Sequence, residues 1–382
     1  TGVNLSKMSS AYFWADVIFL FPAGLILDRF SVKRLILIAL GLAAASTILF
    51  STAHQLWFAM ACHFVAGMGN AFCLLGCVIL ASRWFPPQRL ALVTGWIVTF
   101  AMAGGAIAQT PMEILTAHVG WRIAVLINGI FGVLIWVLNW LFVYDRPSNP
   151  ALDYSRNFQT KPIETLPFFA SAKLAASNLQ TWLAGIYTST LNLPLMVLGG
   201  LFGSLYLQQA HHFTPEDGAT VSSMLFIGTI FGSPAFGKIS DNMLRRRLPM
   251  ILGAVTSLIF TFLMIYTPHF TFFAALIIFF LVGFFTSAQI ISYPLIAESN
   301  QRTITGTSLG LASFIIMGGA GLAQIVYGVI IDHFWNKLMI NGVPQYSSVA
   351  YHAAMLLFPI TLVVGLICAL CIKETYCQNT KQ

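Results

Sequence analysis

Long apolar runs alternate along this chain with short polar stretches, and the runs have the length of bilayer-crossing helices. A spanning helix needs about 20 mostly apolar residues. Eleven stretches qualify: 8–27, 34–52, 56–80, 90–111, 121–143, 181–208, 218–240, 249–267, 271–296, 303–331 and 350–372. The alternating pattern of outer-membrane barrel strands does not appear. The longest polar connection, 145–180, opens with Asp145-Arg146-Pro147-Ser148-Asn149-Pro150 and carries Arg156, Lys161, Glu164 and Lys173. It divides the chain into a bundle of five spans (1–144), a central loop (145–180) and a bundle of six spans (181–382). The other sizeable polar segment is 332–350.

Composition sharpens this all-α, polytopic reading. Hydrophobic residues make up 58% of the 382 and charged residues 8%, where a soluble domain carries about 25% charged. The net charge of +7 would fit nucleic acid in a soluble protein. Here it has a topological explanation, and no nucleic-acid partner is expected. With the 28–34 loop in the cytoplasm, 16 of the 19 Lys and Arg residues fall on that side, leaving Lys7, Arg122 and Lys337 outside. This bias orients the chain, with the central loop and C-terminus also cytoplasmic. Cys368 and Cys371 form a CxxC inside an apolar stretch, where packing explains them better than redox chemistry. His211, His212, Glu216 and Asp217 cluster without meeting a metal-spacing rule. No nucleotide-binding, nucleophilic-triad or zinc motif appears. Neither an enzyme, a cofactor nor a metal site is expected, and no channel-like polar lining or soluble sensor domain is seen.

One motif occurs twice. Gly24-x-x-x-Asp28-Arg29-x-x-x-Lys33-Arg34 and Gly237-x-x-x-Asp241-x-x-x-Arg245-Arg246-Arg247 lie 213 positions apart. Gln88-Arg89 and Gln301-Arg302 share that offset, and Gly104-Gly105-Ala106 matches Gly318-Gly319-Ala320 at 214. Agreement of three offsets implies two parallel repeats. The second half has two spans before its motif and the first half only one. The pattern therefore predicts eleven spans here out of twelve, six and six, with the first helix missing.

The doubled loop, together with Gly120-Trp121-Arg122 opening the span before the central loop, resembles the signature of the major facilitator superfamily. The second copy lacks the Arg after its Asp. The stretch Tyr293-Pro294-Leu295-Ile296-Ala297-Glu298-Ser299-Asn300, followed by Thr305-Gly306-Thr307, looks like bacterial permeases that include phagosomal amino-acid and nucleoside transporters. The resemblance implies two pseudo-symmetric bundles and alternating access in a bacterial inner membrane. It also implies that Gly24, Asp28, Arg29, Lys33, Arg34, Asp241, Arg245 and Arg246 latch a cytoplasmic gate.

Asp16 is the one charged residue in the middle of a span. It precedes Asp28 by 12 residues, roughly 18 Å of helix. A carboxylate at that depth is expensive and normally faces a bundle interior or aqueous cavity. It reads as a proton carrier or as the partner of a cationic solute group. His63 stands where the family pattern has Arg, and imidazole titrates near physiological pH. The two form a candidate proton-linked pair. Asn70 shares a helical face with His63. Trp96, Gln109, Tyr187, Asn192, Thr286, Gln289 and Tyr293 complete a candidate substrate lining between the repeats.

The function expected is secondary active transport of a small polar metabolite (amino acid, nucleoside or organic ion), proton-coupled, by a monomer in membrane lipid. Efflux of a siderophore or drug-like compound is the alternative.

Overall fold

The computed structural model describes residues 2–147, 167–267, 270–340 and 343–378. Each expected stretch falls on helix. The elements are α1 (Gly2–Leu27), α2 (Val32–Ser51), α3 (Leu56–Trp84), α4 (Pro87–Val119) and α5 (Trp121–Phe142). After the central segment come α6 (Phe168–Ser177), α7 (Leu179–Pro194), α8 (Gly203–His211), α9 (Pro215–Met243) and α10 (Arg247–Tyr266). The chain ends with α11 (Phe272–Thr286), α12 (Ser292–Ser299), α13 (Thr305–His333), α14 (Ser348–Met355) and α15 (Leu357–Cys371). A two-residue hairpin, β1 (Met339–Ile340) with β2 (Val343–Pro344), decorates the segment before α14. Among the described residues nine helices are long and apolar enough to cross a membrane, and Trp14–Leu27 is a shorter apolar one. The chain is a multi-span membrane protein. The expected central loop is helical over α6, and its residues 148–166 lie outside the described ones.

Local chemistry sets the helix ends. The side chains of Ser31, Asn178, Thr214, Thr271 and Ser347 each accept a backbone N–H of the following first turn, satisfying donors that have no intrahelical partner. Pro87 and Pro215 open α4 and α9, where a missing N–H does no harm. Gly120, at φ 80°, turns α4 into α5; only glycine adopts that conformation freely.

α1 packs on α3, α2 on α3 and α5, and α7 on α13 and α15. Helix α5 buries little besides Ala124 and Gly129. It docks through one seam, where Trp136 Nε1 donates to the Leu37 carbonyl at 2.8 Å, and leaves its other faces apolar and exposed, as lipid contact requires.

Two helix pairs join the halves: α1 with α13 and α4 with α9. Both crossings are made by small residues. A Cβ on Gly24 would lie 2.1 Å from the Gly306 carbonyl, and one on Gly310 would lie 2.8 Å from that of Leu20. Correspondingly, a Cβ on Gly237 would meet the Ala91 carbonyl at 2.5 Å and one on Gly95 that of Ser233 at 2.6 Å. So α1 (Leu20, Gly24) against α13 matches α9 (Ser233, Gly237) against α4. The offset between α1 and α9 is the 213 of the sequence. Between α4 and α13 it is 215, since Gly306 corresponds to Ala91 and Gly310 to Gly95. These contacts end at Asp28 and Asp241. The glycines further from that end behave differently: Gly104, Gly105 and Gly318 have open space where a side chain would be, and only Gly319 meets a neighbour, Ser189. Among the described residues, Gly319 alone of these tandem glycines would bring a Cβ against a neighbour.

Two spans leave α geometry part-way along. Between α7 and α8, residues Leu195–Phe202 form a π-helical stretch, and between α11 and α12, Ser287–Ile291 form a 3₁₀ turn.

Candidate functional site

The end of the molecule carrying Asp28 and Asp241 is closed by bonds that cross between the halves. Asp28 accepts from the Gly306 N–H at 2.6 Å, the Thr307 N–H at 2.7 Å and the Thr307 hydroxyl at 2.6 Å. The first turn of α13 offers unpaired N–H groups and the positive end of a dipole. Burial pushes the Asp28 carboxyl up to about 6, although its Thr307 and Gly306 hydrogen bonds and the charge of Arg83 pull the other way. Asp241 accepts from the Leu92 N–H at 2.8 Å, reaching α4. Arg246, fully buried, stands beside it. Its Nη1 meets Asp241 Oδ1 at 2.5 Å, and its Nη2 meets Glu298 Oε1 and the Pro87 carbonyl, each at 2.6 Å. Burial alone would lower the Arg246 pKa, but Glu298 and Asp241 together hold it above its ordinary value.

The remaining motif cations are placed differently from expectation. The Lys33 ammonium lies over the Tyr144 ring, 4.7 Å from its centre. Arg34 contributes its backbone N–H to Ser31, and the Arg245 side chain is exposed. The exposed Arg29 keeps its place beside Asp28 in sequence. Several partners escaped sequence reasoning. Asp145, three residues beyond α5, accepts from the Lys33 N–H at 2.8 Å and from the Ser31 hydroxyl, with Arg83 3.6 Å away. Glu374, three residues beyond α15, accepts from the N–H groups of Arg246 at 2.7 Å and Arg247 at 3.0 Å. Lys33 and Arg246 are 213 apart, so the two N–H groups that these carboxylates accept occupy equivalent places in the repeat.

Deeper in the molecule, Asp16 is 4% exposed, and the amide of the exposed Asn70 donates to its Oδ1 at 3.0 Å. The pairing expected with His63 is not made. His63 packs on Phe50, with ring centres 4.5 Å apart. It lines a cavity of about 240 Å³ with Tyr12, Ser46, Thr47 and Asn128, within the first bundle. In the second bundle Gln289 donates to Asn192 Oδ1 at 3.1 Å, joining α7 to the 3₁₀ turn.

Other expected lining residues are spent elsewhere. Tyr187 is fully buried and donates to the Met250 carbonyl at 2.9 Å, facing α10. The Thr286 hydroxyl donates to Val282 of its own helix at 2.8 Å. In each case the buried hydroxyl needed a partner and found one inside the bundle. Tyr293 is almost buried in the core. Trp96, 48% exposed, leans on Phe100. Gln109 lies on α4, with its side chain outside the described residues.

A family model described as Major Facilitator Superfamily matches residues 1–205 and 192–376. The chain belongs to this superfamily. A solved superfamily member, the transporter FucP in its outward conformation, superposes with a TM-score of 0.76 at 17% identity, covering 98% of this chain and 91% of that one. Among relatives is the Bacillus subtilis protein described as a probable galactarate/D-glucarate transporter, GudP, 23% identical over 67% of this chain. The matched part spans 62% of that relative's length. A probable sulfoacetate transporter, SauU, from Cupriavidus necator is 23% identical over 87% of this chain and 79% of its own. In this chain the two helix pairs α1 with α13 and α4 with α9 meet between the halves, and the Asp28 and Asp241 bonds lie at one end of them.

Proposed function

We propose that this protein is a secondary active transporter that takes up a small polar metabolite by alternating access, coupled to protons. The observation that carries the reading is the one-sided closure. Asp28 and Asp241 each bond a helix of the opposite half, whereas a Cβ on Gly104, Gly105 or Gly318, further along α4 and α13, would meet nothing among the described residues. Contacts of this kind must break for that end to open. The charge bias of the loops makes the latched end cytoplasmic, so the closed gate separates the interior from the cytoplasm.

Asp16 and Asn70 supply the coupling site. A carboxylate this deep, held by one neutral amide, is neutralised by a proton or by a cationic group of the solute. Asn192 and Gln289 offer amide donors and acceptors in the second half, suited to a hydroxylated or amine-bearing solute. His63, packed on Phe50, is outside this coupling scheme. The family supports transport of small metabolites: FucP is described as a fucose:proton symporter, and the bacterial relatives as a probable galactarate/D-glucarate transporter and a probable sulfoacetate transporter.

The test is uptake into proteoliposomes under an imposed pH gradient, screened across labelled amino acids, nucleosides, sugars and sugar acids. Asp16→Asn should abolish accumulation of the transported solute while leaving counterflow exchange. Gradient-driven accumulation unchanged in Asp16→Asn removes that residue from coupling. Accumulation of no solute in either direction of gradient removes the symport reading.

A further inference from the structure

The C-terminal tail does more than end the chain. Beyond α15, Ile372 is buried in the core, and the Lys373 N–H donates to Gln180 at 2.8 Å. The next three residues carrying side-chain contacts all turn toward the latch of the second half. Glu374 takes the backbone N–H groups of Arg246 and Arg247. The Thr375 hydroxyl donates to Glu298 Oε2, an oxygen of the same carboxylate that binds Arg246. Cys377 is fully buried, with Arg246, Glu298, Asp241 and Glu374 close enough to act on its charge. Burial pushes that thiol up to about 12. Two consecutive residues, Tyr376 (φ 52°) and Cys377 (φ 55°), sit in the left-handed region, which side-chain-bearing residues avoid. A segment holding that backbone is kept there by its contacts.

The chain of bonds runs from tail to interface: Thr375 to Glu298, Glu298 to Arg246, Arg246 to the Pro87 carbonyl of the other half. The last link is the one that opening must break. When it breaks, Arg246 loses a buried acceptor, and the reason for Glu298 and Thr375 to hold their present geometry weakens with it. Asp145 shares the capping role in the first half through Lys33, but its contacts do not include Asp28. Asp145 reaches the first crossing only through the charge of Arg83, 3.6 Å away, which acts on Asp28; in the second half the tail joins its crossing bond through direct hydrogen bonds.

We propose that residues 372–378 are a moving part of the gate: docked while the latched end is closed, released as it opens, with Glu374 and Thr375 as the positioning residues that aim Arg246 across the interface. The proposal rests on the alternating-access reading, yet its test needs no transported solute, so its failure leaves that reading standing. In full-length protein retaining Cys377 alone of its cysteines, Thr375→Val should raise the rate of maleimide labelling at Cys377 about tenfold, the size expected from losing one hydrogen bond to a buried carboxylate. In a cysteine-free background with spin labels at Arg89→Cys and Lys238→Cys, the same substitution should shift the distance distribution toward wider separations. Thr375→Ser should restore both. Faster labelling without a change in distances means local fraying of the tail and overturns the proposal, as does no change in either. Should Thr375→Val fail to accumulate, Asp241→Asn, which weakens the crossing from the other side, must also expose Cys377; an unchanged labelling rate there overturns it equally.

Discussion

The two latches occupy equivalent places and solve the same problem with different chemistry. In the first half, a carboxylate enters the start of α13 and is met by two N–H groups and one hydroxyl, all neutral. In the second, the carboxylate shares a buried guanidinium with Glu298, and the guanidinium itself reaches a carbonyl across the interface. Neutral donors hold a charge while leaving its desolvation largely uncompensated, so the first latch responds to protonation. A buried ion network has its charges matched, but removing any one member strands the others. On this reading acidification should act on the first contact and substitution on the second.

The widest separation between them should come from Arg246→Met. It leaves Asp241 and Glu298 buried without their cation, and stranding buried charges typically costs about 3–5 kcal/mol. Thermal unfolding in detergent should register this as a large loss, and equal stability in the variant and wild type would dissolve the contrast. Acidification comes next, acting on the first latch. The folded Asp28 carboxyl is raised from 3.8 to about 6, so the latched state binds a proton more tightly than the open or unfolded one. Its contribution is complete below the ordinary carboxylate value and is lost as pH climbs through about 6, by at most roughly 3 kcal/mol. Inter-bundle distances should therefore shift toward closure between pH 7 and pH 5. Asp28→Asn, which cannot titrate, should flatten that profile; a profile that keeps its slope in the variant assigns the titration to another group. The smallest effect belongs to Thr307→Val. It removes one of three donors and should weaken closure by about 1 kcal/mol, seen as a modest shift in the same distance measurement.

What the sequence disclosed follows from the range of the forces involved. Helices in lipid must be long and apolar, so the spans were legible from hydropathy, and the doubled loop located both latch carboxylates. Their partners were not legible. Glu298 and Glu374 lie 52 and 128 positions from Arg246, and nothing in the spacing of a loop motif points to them. Arg245 and Arg246 looked interchangeable until the fold buried one and exposed the other. Helical periodicity told which residues share a face, but not which neighbour the face meets. Tyr187 and Thr286 therefore read as lining yet satisfy themselves within the bundle, and His63 turned toward Phe50 rather than Asp16. Gln289 with Asn192 forms an amide pair, and the Asn70 amide meets the Asp16 carboxylate.

The offset of 215 between α4 and α13, against 213 between α1 and α9, has a bearing on how the two halves are compared. The surplus falls in the 3₁₀ turn Arg302–Ile304, which precedes α13, whereas α4 starts directly at Pro87. Two residues rotate a helix by about 200°. Aligning the duplicates on Gln88-Arg89 and Gln301-Arg302 would thus turn the wrong side of α13 toward α1. The correspondence between the duplicates is carried by which carbonyl each glycine approaches, and the two extra residues sit in the turn just before α13.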